Sequence, residues 1–160
     1  MKFSREMDNN CYQLCKIQAR LFERSSKQNI PSAYFVKVFF NSKYAKMMDK
    51  LEYLNDYPSD EEVFNYLEEN IHMNRGTVLP TYMMSWIGYL FREWSYTYEV
   101  SSKRILKNVP MSYLAKVYKP YHSLDIQKAI QLIAEDLAIN INESIEETTL
   151  RVLRETIIIK

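Results

Sequence analysis

The sequence predicts an all-α protein: a compact bundle of about six to eight helices around a hydrophobic central helix over residues 80–98. Three observations predict it. Only two glycines, Gly76 and Gly88, occur in 160 residues, whereas sheet proteins need glycine at hairpin turns and bulges. Apolar residues recur at three- and four-residue spacing along extended stretches. The breaks between those stretches carry capping residues, prolines and short polar turns. With 47% hydrophobic, 14% aromatic and 26% charged residues, the composition is that of a folded chain, not a disordered one. A chain of 160 residues can bury a core without disulfide or metal staples.

The first helix is expected from about residue 5 to 24. Leu14, Ile17, Leu21 and Phe22 form its apolar stripe, with Met7 and Cys11 extending it. The polar stretch 25–29 and then Pro31 end it. Ser32 is the expected cap of a second helix, with Tyr34, Phe35, Val38 and Phe39 inward. Asn41-Ser42 reads as a break, followed by a short helix from Tyr44 to Met48. Residues 52–58 read as an acidic, tyrosine-containing loop. Ser59 and Glu62 then form a capping box. The helix it opens points Val63, Tyr66, Leu67 and Ile71 inward, and Asn74-Arg75-Gly76 closes it with glycine at C′.

Pro80 can start the central helix. Tyr82, Met83, Trp86, Ile87, Tyr89, Leu90, Phe91 and Trp94 make that helix apolar on most sides, and so wide a face is wrapped by other helices. Ser101 or Ser102 caps a short helix that ends before Pro110. Another runs from Ser112 to Tyr118 and stops at Pro120. Asp125 caps a helix carrying Ile126, Ala129, Ile130 and Ile133. Asn142 or Ser144 begins a last amphipathic helix with Ile145, Leu150, Val152 and Leu153. Residues 1–160 read as one domain, with 137–160 as an accessory C-terminal helix and tail. The tail Ile157-Ile158-Ile159 has high β-propensity and offers a route to self-association.

The N-terminus, Met-Lys-Phe-Ser-Arg-Glu, lacks the apolar core of a signal peptide. No run approaches the ~18 apolar residues of a membrane span, so no membrane association is expected. Cys11 and Cys15 lie four apart on one expected helix, where a disulfide would close a tiny loop. Two reduced thiols and a cytoplasmic location follow. The net charge of +1 conceals a strong pattern: residues 1–50 hold ten Lys/Arg against four Asp/Glu, while residues 51–70 hold seven acidic residues and no basic one. Either the patches cancel in the fold, or the surface is sided, with a basic face for an acidic partner.

Chemical signatures are missing. Cys11 and Cys15 have only His72 and His122 to complete a four-ligand zinc set, at spacings no zinc finger uses. Glu69-x-x-His72 is half of a di-iron motif and has no second half. Two widely separated glycines cannot build a phosphate-cradling loop, and there is no Gly-x-Ser-x-Gly nucleophile turn. Neither histidine has an arginine four to seven positions upstream, as helical toxin ribonucleases do. The expectation is no metal, no cofactor and no identifiable catalytic residue. An enzymatic site, were there one, would draw on Arg92, Tyr96, His122 and Asp125.

Two segments read as binding surfaces. In the first, a helix ends near Tyr98 and a short basic helix follows, as in helix-turn-helix DNA readers. Lys103, Arg104, Lys107, Lys116 and Lys119 supply phosphate-binding charge, with Tyr113 and Tyr118 interleaved. In the second, Tyr118-Lys119-Pro120-Tyr121-His122-Ser123-Leu124-Asp125 forms a proline-fixed turn. Its structural role would be a rigid corner with tyrosines on the core and His122 bonded to a backbone carbonyl. Its binding role would be a protein-contact surface made by Tyr118, Tyr121, His122 and Asp125, since tyrosine and histidine suit interface anchors.

Trp86 to Tyr98 (Trp-Ile-Gly-Tyr-Leu-Phe-Arg-Glu-Trp-Ser-Tyr-Thr-Tyr), Ser101-Ser102-Lys103, Tyr118 to Asp125, Ala129-Ile130 and the phrase Phe39 to Lys46 together resemble a group of small uncharacterised bacterial proteins. The resemblance covers roughly residues 30–134. Genes of that group often lie beside small toxin–antitoxin-like genes, including ones suggestive of ADP-ribosyltransferase toxins. The resemblance therefore implies an antitoxin or accessory role with a protein partner such as a cognate toxin, and assigns no chemistry. Relatives tend to carry an aromatic where this chain has Glu93, and residues after about 137 are additional.

Overall fold

A computed structural model describes residues 3–72, 75–139 and 153–154. Among them the chain forms nine helices and no strand. These are α1 (Asn9–Lys27), α2 (Ser32–Phe40), α3 (Lys43–Asp49), α4 (Tyr53–Asp56), α5 (Asp60–Glu69), α6 (Thr81–Tyr98), α7 (Ser102–Asn108), α8 (Met111–Tyr121) and α9 (Ile126–Asp136). The all-α bundle is as the sequence predicts. The count exceeds the expected six to eight because the acidic segment read as a loop makes one turn of helix, α4, which plants Tyr53 in the core.

Helix α6 is the spine. Met84, Ile87, Leu90, Phe91 and Trp94 are fully buried along it, and α1 is its main neighbour. Gly88 lets the two helices meet. A Cβ there would stand 2.9 Å from the Gln18 carbonyl oxygen and 2.9 Å from Phe22 Cγ, both on α1, closer than side-chain carbons tolerate. Phe22 also anchors an aromatic cluster with Phe35, Phe39 and Phe40, and Phe40 meets Phe91 edge-on at 5.3 Å. The buried face of α2 is Phe35, Val36, Phe39 and Phe40. Tyr34 and Val38 are only half-buried, so the stripe is rotated by one position from the expected one.

Several local expectations are corrected. The first helix begins at Asn9, not near residue 5, because Asp8 caps it by accepting from the Cys11 N–H at 2.9 Å. Residues 4 and 5 instead close the end of α6, both backbone N–H groups donating to the Thr97 carbonyl. Ser32 does not cap α2. Its hydroxyl accepts from the Leu79 N–H at 2.8 Å, tying the segment before α6 to the start of α2. The Ser59 cap is present, accepting from the Glu62 N–H at 3.1 Å. Its helix ends at Glu69 rather than at 74–76, so His72 lies beyond the helix and is exposed.

Gly76 is not a helix C′ residue. Its φ of +136° and its approach to Pro31, where a Cβ would stand 3.1 Å from the ring, explain glycine there. Pro120 does not stop α8, which runs on to Tyr121; a proline in a last turn removes one bond without breaking the helix. Tyr82 sits on α6 yet is 60% exposed. The expected helix from Asn142 or Ser144, and the 157–159 tail, lie outside the described residues apart from Leu153 and Arg154. No described helix is long and apolar enough to cross a membrane.

Charge patterning resolves in part by cancellation. Asp60 and Glu61, in the first turn of α5, pair with Arg20 and Arg24 of α1. That geometry holds the Glu61 carboxyl below its ordinary range and complements the α5 dipole.

Candidate functional site

Three arrangements carry polar chemistry. The first is inside the core. Arg92 sits mid-way along the apolar α6 and is 1% exposed. A buried guanidinium is tolerated only when its donors are satisfied. Arg92 Nε donates to the Gln18 side-chain oxygen at 2.9 Å, one terminal nitrogen to Asp49 at 2.6 Å, and the other to the Ser102 hydroxyl at 2.8 Å. The Ser102 hydroxyl passes its own proton to Asp49 at 2.7 Å, and the Ser95 hydroxyl donates to the Val100 carbonyl at 2.6 Å. This network joins α1, α3, α6 and α7. It floors a cleft of about 570 Å³ lined by Arg5, Lys46, Asp49, Lys50, Ser95 and Glu99. With Arg92 fully engaged by neighbours, its role is to lock helices together.

One residue further along, Glu93 is also buried, at 2% exposure. It accepts from the Gln127 amide of α9 at 2.7 Å, and that amide also donates to the Thr97 hydroxyl. Burial pushes the Glu93 carboxyl up to about 7, with the Asp125 charge adding to the rise. The Cys11 and Cys15 thiols are both fully buried, 3.8 Å apart. Their mutual hydrogen bond and burial push the Cys15 thiol well above its ordinary range, which makes it inert as a nucleophile. Among the described residues no group of three or more His, Cys, Asp or Glu could hold a metal ion.

The third arrangement is an aromatic face built by α6, α8 and α9. The Tyr118 ring stacks on His122 at 4.4 Å with planes 15° apart, meets Trp86 edge-on at 5.5 Å and Tyr82 at 5.4 Å. His122 Nδ1 lies 2.9 Å from the Tyr118 carbonyl and 3.0 Å from that of Lys119. Carbonyl oxygens only accept, so Nδ1 is the donor in both contacts. Tyr113 and Tyr121 both donate to one oxygen of Asp136 on α9, at 2.5 and 2.7 Å. Those two bonds hold the Asp136 carboxyl below its ordinary range.

The structure brings Tyr118 and His122 together, with Tyr121 beside them. His122 is exposed, and Tyr118 and Tyr121 are half-buried. The expected carbonyl bond of His122 is present, so the turn has a structural role as well as an exposed one. Asp125 is exposed and caps α9, accepting from the Gln127 N–H at 3.1 Å. Lys103, Lys107, Lys116 and Lys119 are exposed on α7 and α8, while Arg104 is half-buried. The four residues considered for an enzymatic site do not converge. Arg92 is engaged as above, and the Tyr96 hydroxyl bonds Asp8 at 2.7 Å.

Sequence reasoning missed Gln18, Asp49, Ser95 and Ser102. The available signal was Arg92 itself, a charge in an otherwise apolar run, which demands buried partners. Nothing in spacing could name Gln18, Asp49 or Ser102, which lie 74, 43 and 10 positions away; Ser95 alone stands at helical spacing, three positions on. No known protein family matches the chain, and neither does any curated protein or solved structure.

Proposed function

We propose that the chain is a protein-binding component, an antitoxin or accessory partner, of a bacterial toxin–antitoxin or defence module, and that its partner docks on the aromatic face of α6 and α8. The observation that carries the docking surface is the Tyr82–Tyr118–His122 cluster, in which His122 stacks on Tyr118 and Tyr82 packs against it at a tilt. Tyr82 is 60% exposed and yet held against Tyr118, which is itself fixed on Trp86. An exposed aromatic surface already locked in place loses little entropy on binding. The genetic setting rests on the resemblance of residues 30–134. The test is capture of a tagged chain from its own host with mass spectrometry of what comes with it. A toxin-like neighbour-encoded protein, lost when Tyr118 and His122 are replaced by alanine, is the expected result. An unchanged partner set with that variant would reject the surface.

A second reading is a DNA-binding regulator. It is favoured by the exposed lysines of the 101–119 segment, Lys103 and Lys107 being one turn apart on α7. Replacing Lys103 and Arg104 by alanine should then abolish retardation of the host operon's promoter, with affinity falling steeply with salt. No retardation by the wild-type chain at low salt would remove this reading.

A further inference from the structure

Glu93 is the only buried acidic residue among those described. Its neighbour Arg92 is buried with a full set of partners, but the Glu93 carboxyl has one, the Gln127 amide of α9, and that partner is neutral. No cation pairs with Glu93 among the described residues. Around it stand the Cys15 thiol of α1, bonded to Cys11, then Tyr89 and Tyr98 of α6 itself, and the Asp125 carboxylate at the start of α9. The N-terminal segment brings Arg5 and Asp8 to the last turn of α6, where Arg5 pairs with Glu99 and Asp8 takes the Tyr96 hydroxyl. Arg92 is turned to Asp49, and Lys128, next to Gln127, is exposed. A buried carboxyl in such company is stable only with its proton on.

Helix α9 covers that carboxyl. It packs with Ala129, Ile130, Ile133 and Ala134 buried and has two polar ties. Gln127 bonds Glu93 and Thr97 of α6, and Asp136 holds Tyr113 and Tyr121 of α8. The rest of α6 is fastened differently: the Arg92 network joins it to α1, α3 and α7. When Glu93 ionises, water must reach it, and the side that yields is the one held by a neutral amide.

We propose that the proton on Glu93 is a latch: with it, α9 lies closed on α6; without it, α9 lifts while α1, α3, α6 and α7 stay together, and Tyr113 and Tyr121 lose their hold on Asp136. Burial pushes the Glu93 carboxyl from 4.5 up to about 7 in the closed form. The proton's contribution to closure is therefore full below pH 4.5 and is lost as pH rises through 7. The latch goes beyond the docking reading and does not rest on it, since its readouts involve no partner.

The test is hydrogen exchange of the ¹⁵N-labelled full chain at pH 6 and pH 8 in sub-denaturing urea, each rate divided by its intrinsic value at that pH. The α9 amides should lose about tenfold in protection between the two, through an opening that responds little to urea. The α1 and α6 amides should exchange only through an opening with the steep urea dependence of global unfolding. Glu93→Gln keeps an acceptor for Gln127 and cannot ionise, so its α9 protection should stay level to within about twofold. The ¹³C carboxyl resonance of Glu93 in the wild type, which needs no variant, should titrate with the same midpoint as the opening of α9. Three results overturn the latch: an α9 that opens only with the steep slope of α6, a pH response that persists in Glu93→Gln, or a Glu93 carboxyl that titrates at its ordinary value.

Discussion

The Arg92 guanidinium donates to the Asp49 carboxylate at 2.6 Å, joining the middle of α6 to the last residue of α3. Arg92 is 1% exposed on its side chain and Asp49 19%. Removing one partner from such a pair leaves the other charge without compensation, which costs far more than the pair itself contributes. Arg92→Ala should therefore destabilise the fold by about 3–5 kcal/mol, read as a lowered urea midpoint. Arg92→Lys should rescue little, because an ammonium cannot reach Gln18, Asp49 and Ser102 at once. A lysine variant that melts with the wild type would show that the network is dispensable.

Gly88 offers a test in which two effects have opposite sign. In an isolated helix, alanine is favoured over glycine by roughly 1 kcal/mol. In this fold the new methyl would press on the Gln18 backbone oxygen and on Phe22. Backbone cannot yield as a side-chain end can, so overpacking of about 1–3 kcal/mol or more should win. Gly88→Ala is expected to lower the thermal midpoint. A raised midpoint would mean that α1 and α6 can separate at no cost.

Glu93 should make stability depend on pH. Its carboxyl titrates at about 7 in the folded chain against an ordinary 4.5, so the folded state holds the proton more tightly. Stability from this group is full below pH 4.5 and declines as pH rises through 7, where the buried carboxyl must ionise. A shift of that size corresponds to about 3 kcal/mol at most. Glu93→Gln keeps an acceptor for Gln127 and cannot ionise. Chemical denaturation at pH 5 and pH 8 should show the wild type losing stability over that range and the variant losing much less. Parallel profiles would place the titration elsewhere.

The aromatic face separates binding from stability. Tyr121 is half-buried and His122 exposed, each held by a hydrogen bond that water can replace. Tyr121→Ala and His122→Ala should leave the melting midpoint within a few degrees of wild type and weaken partner affinity, a single aromatic anchor contributing ~2 kcal/mol. Trp86, 8% exposed beneath Tyr118, is the control: Trp86→Ala should cost about 3–5 kcal/mol of stability. Early melting of the two turn variants with full affinity in the folded fraction would make the turn purely structural.

Much of the fold was legible in one dimension because helix formation is local. The Ser59 and Asp125 caps, the break at Asn41-Ser42, the limits of α6 and the burial of Trp86 and Trp94 depend on residues within a turn or two of each other. So does the pattern of exposed lysines along α7 and α8. Tertiary structure decided the rest. Ser32 has the chemistry of a cap and was recruited by Leu79, 47 residues away. Residues 4 and 5 left the first helix to close the end of α6. Tyr53 left its loop for the core, and Tyr82 was turned outward onto Tyr118. Above all, Arg92 and Glu93 interrupt an apolar helix, but only packing supplied Asp49 to one and Gln127 to the other. A buried charge states locally that it needs a partner; which partner it finds depends on how separate helices meet in space.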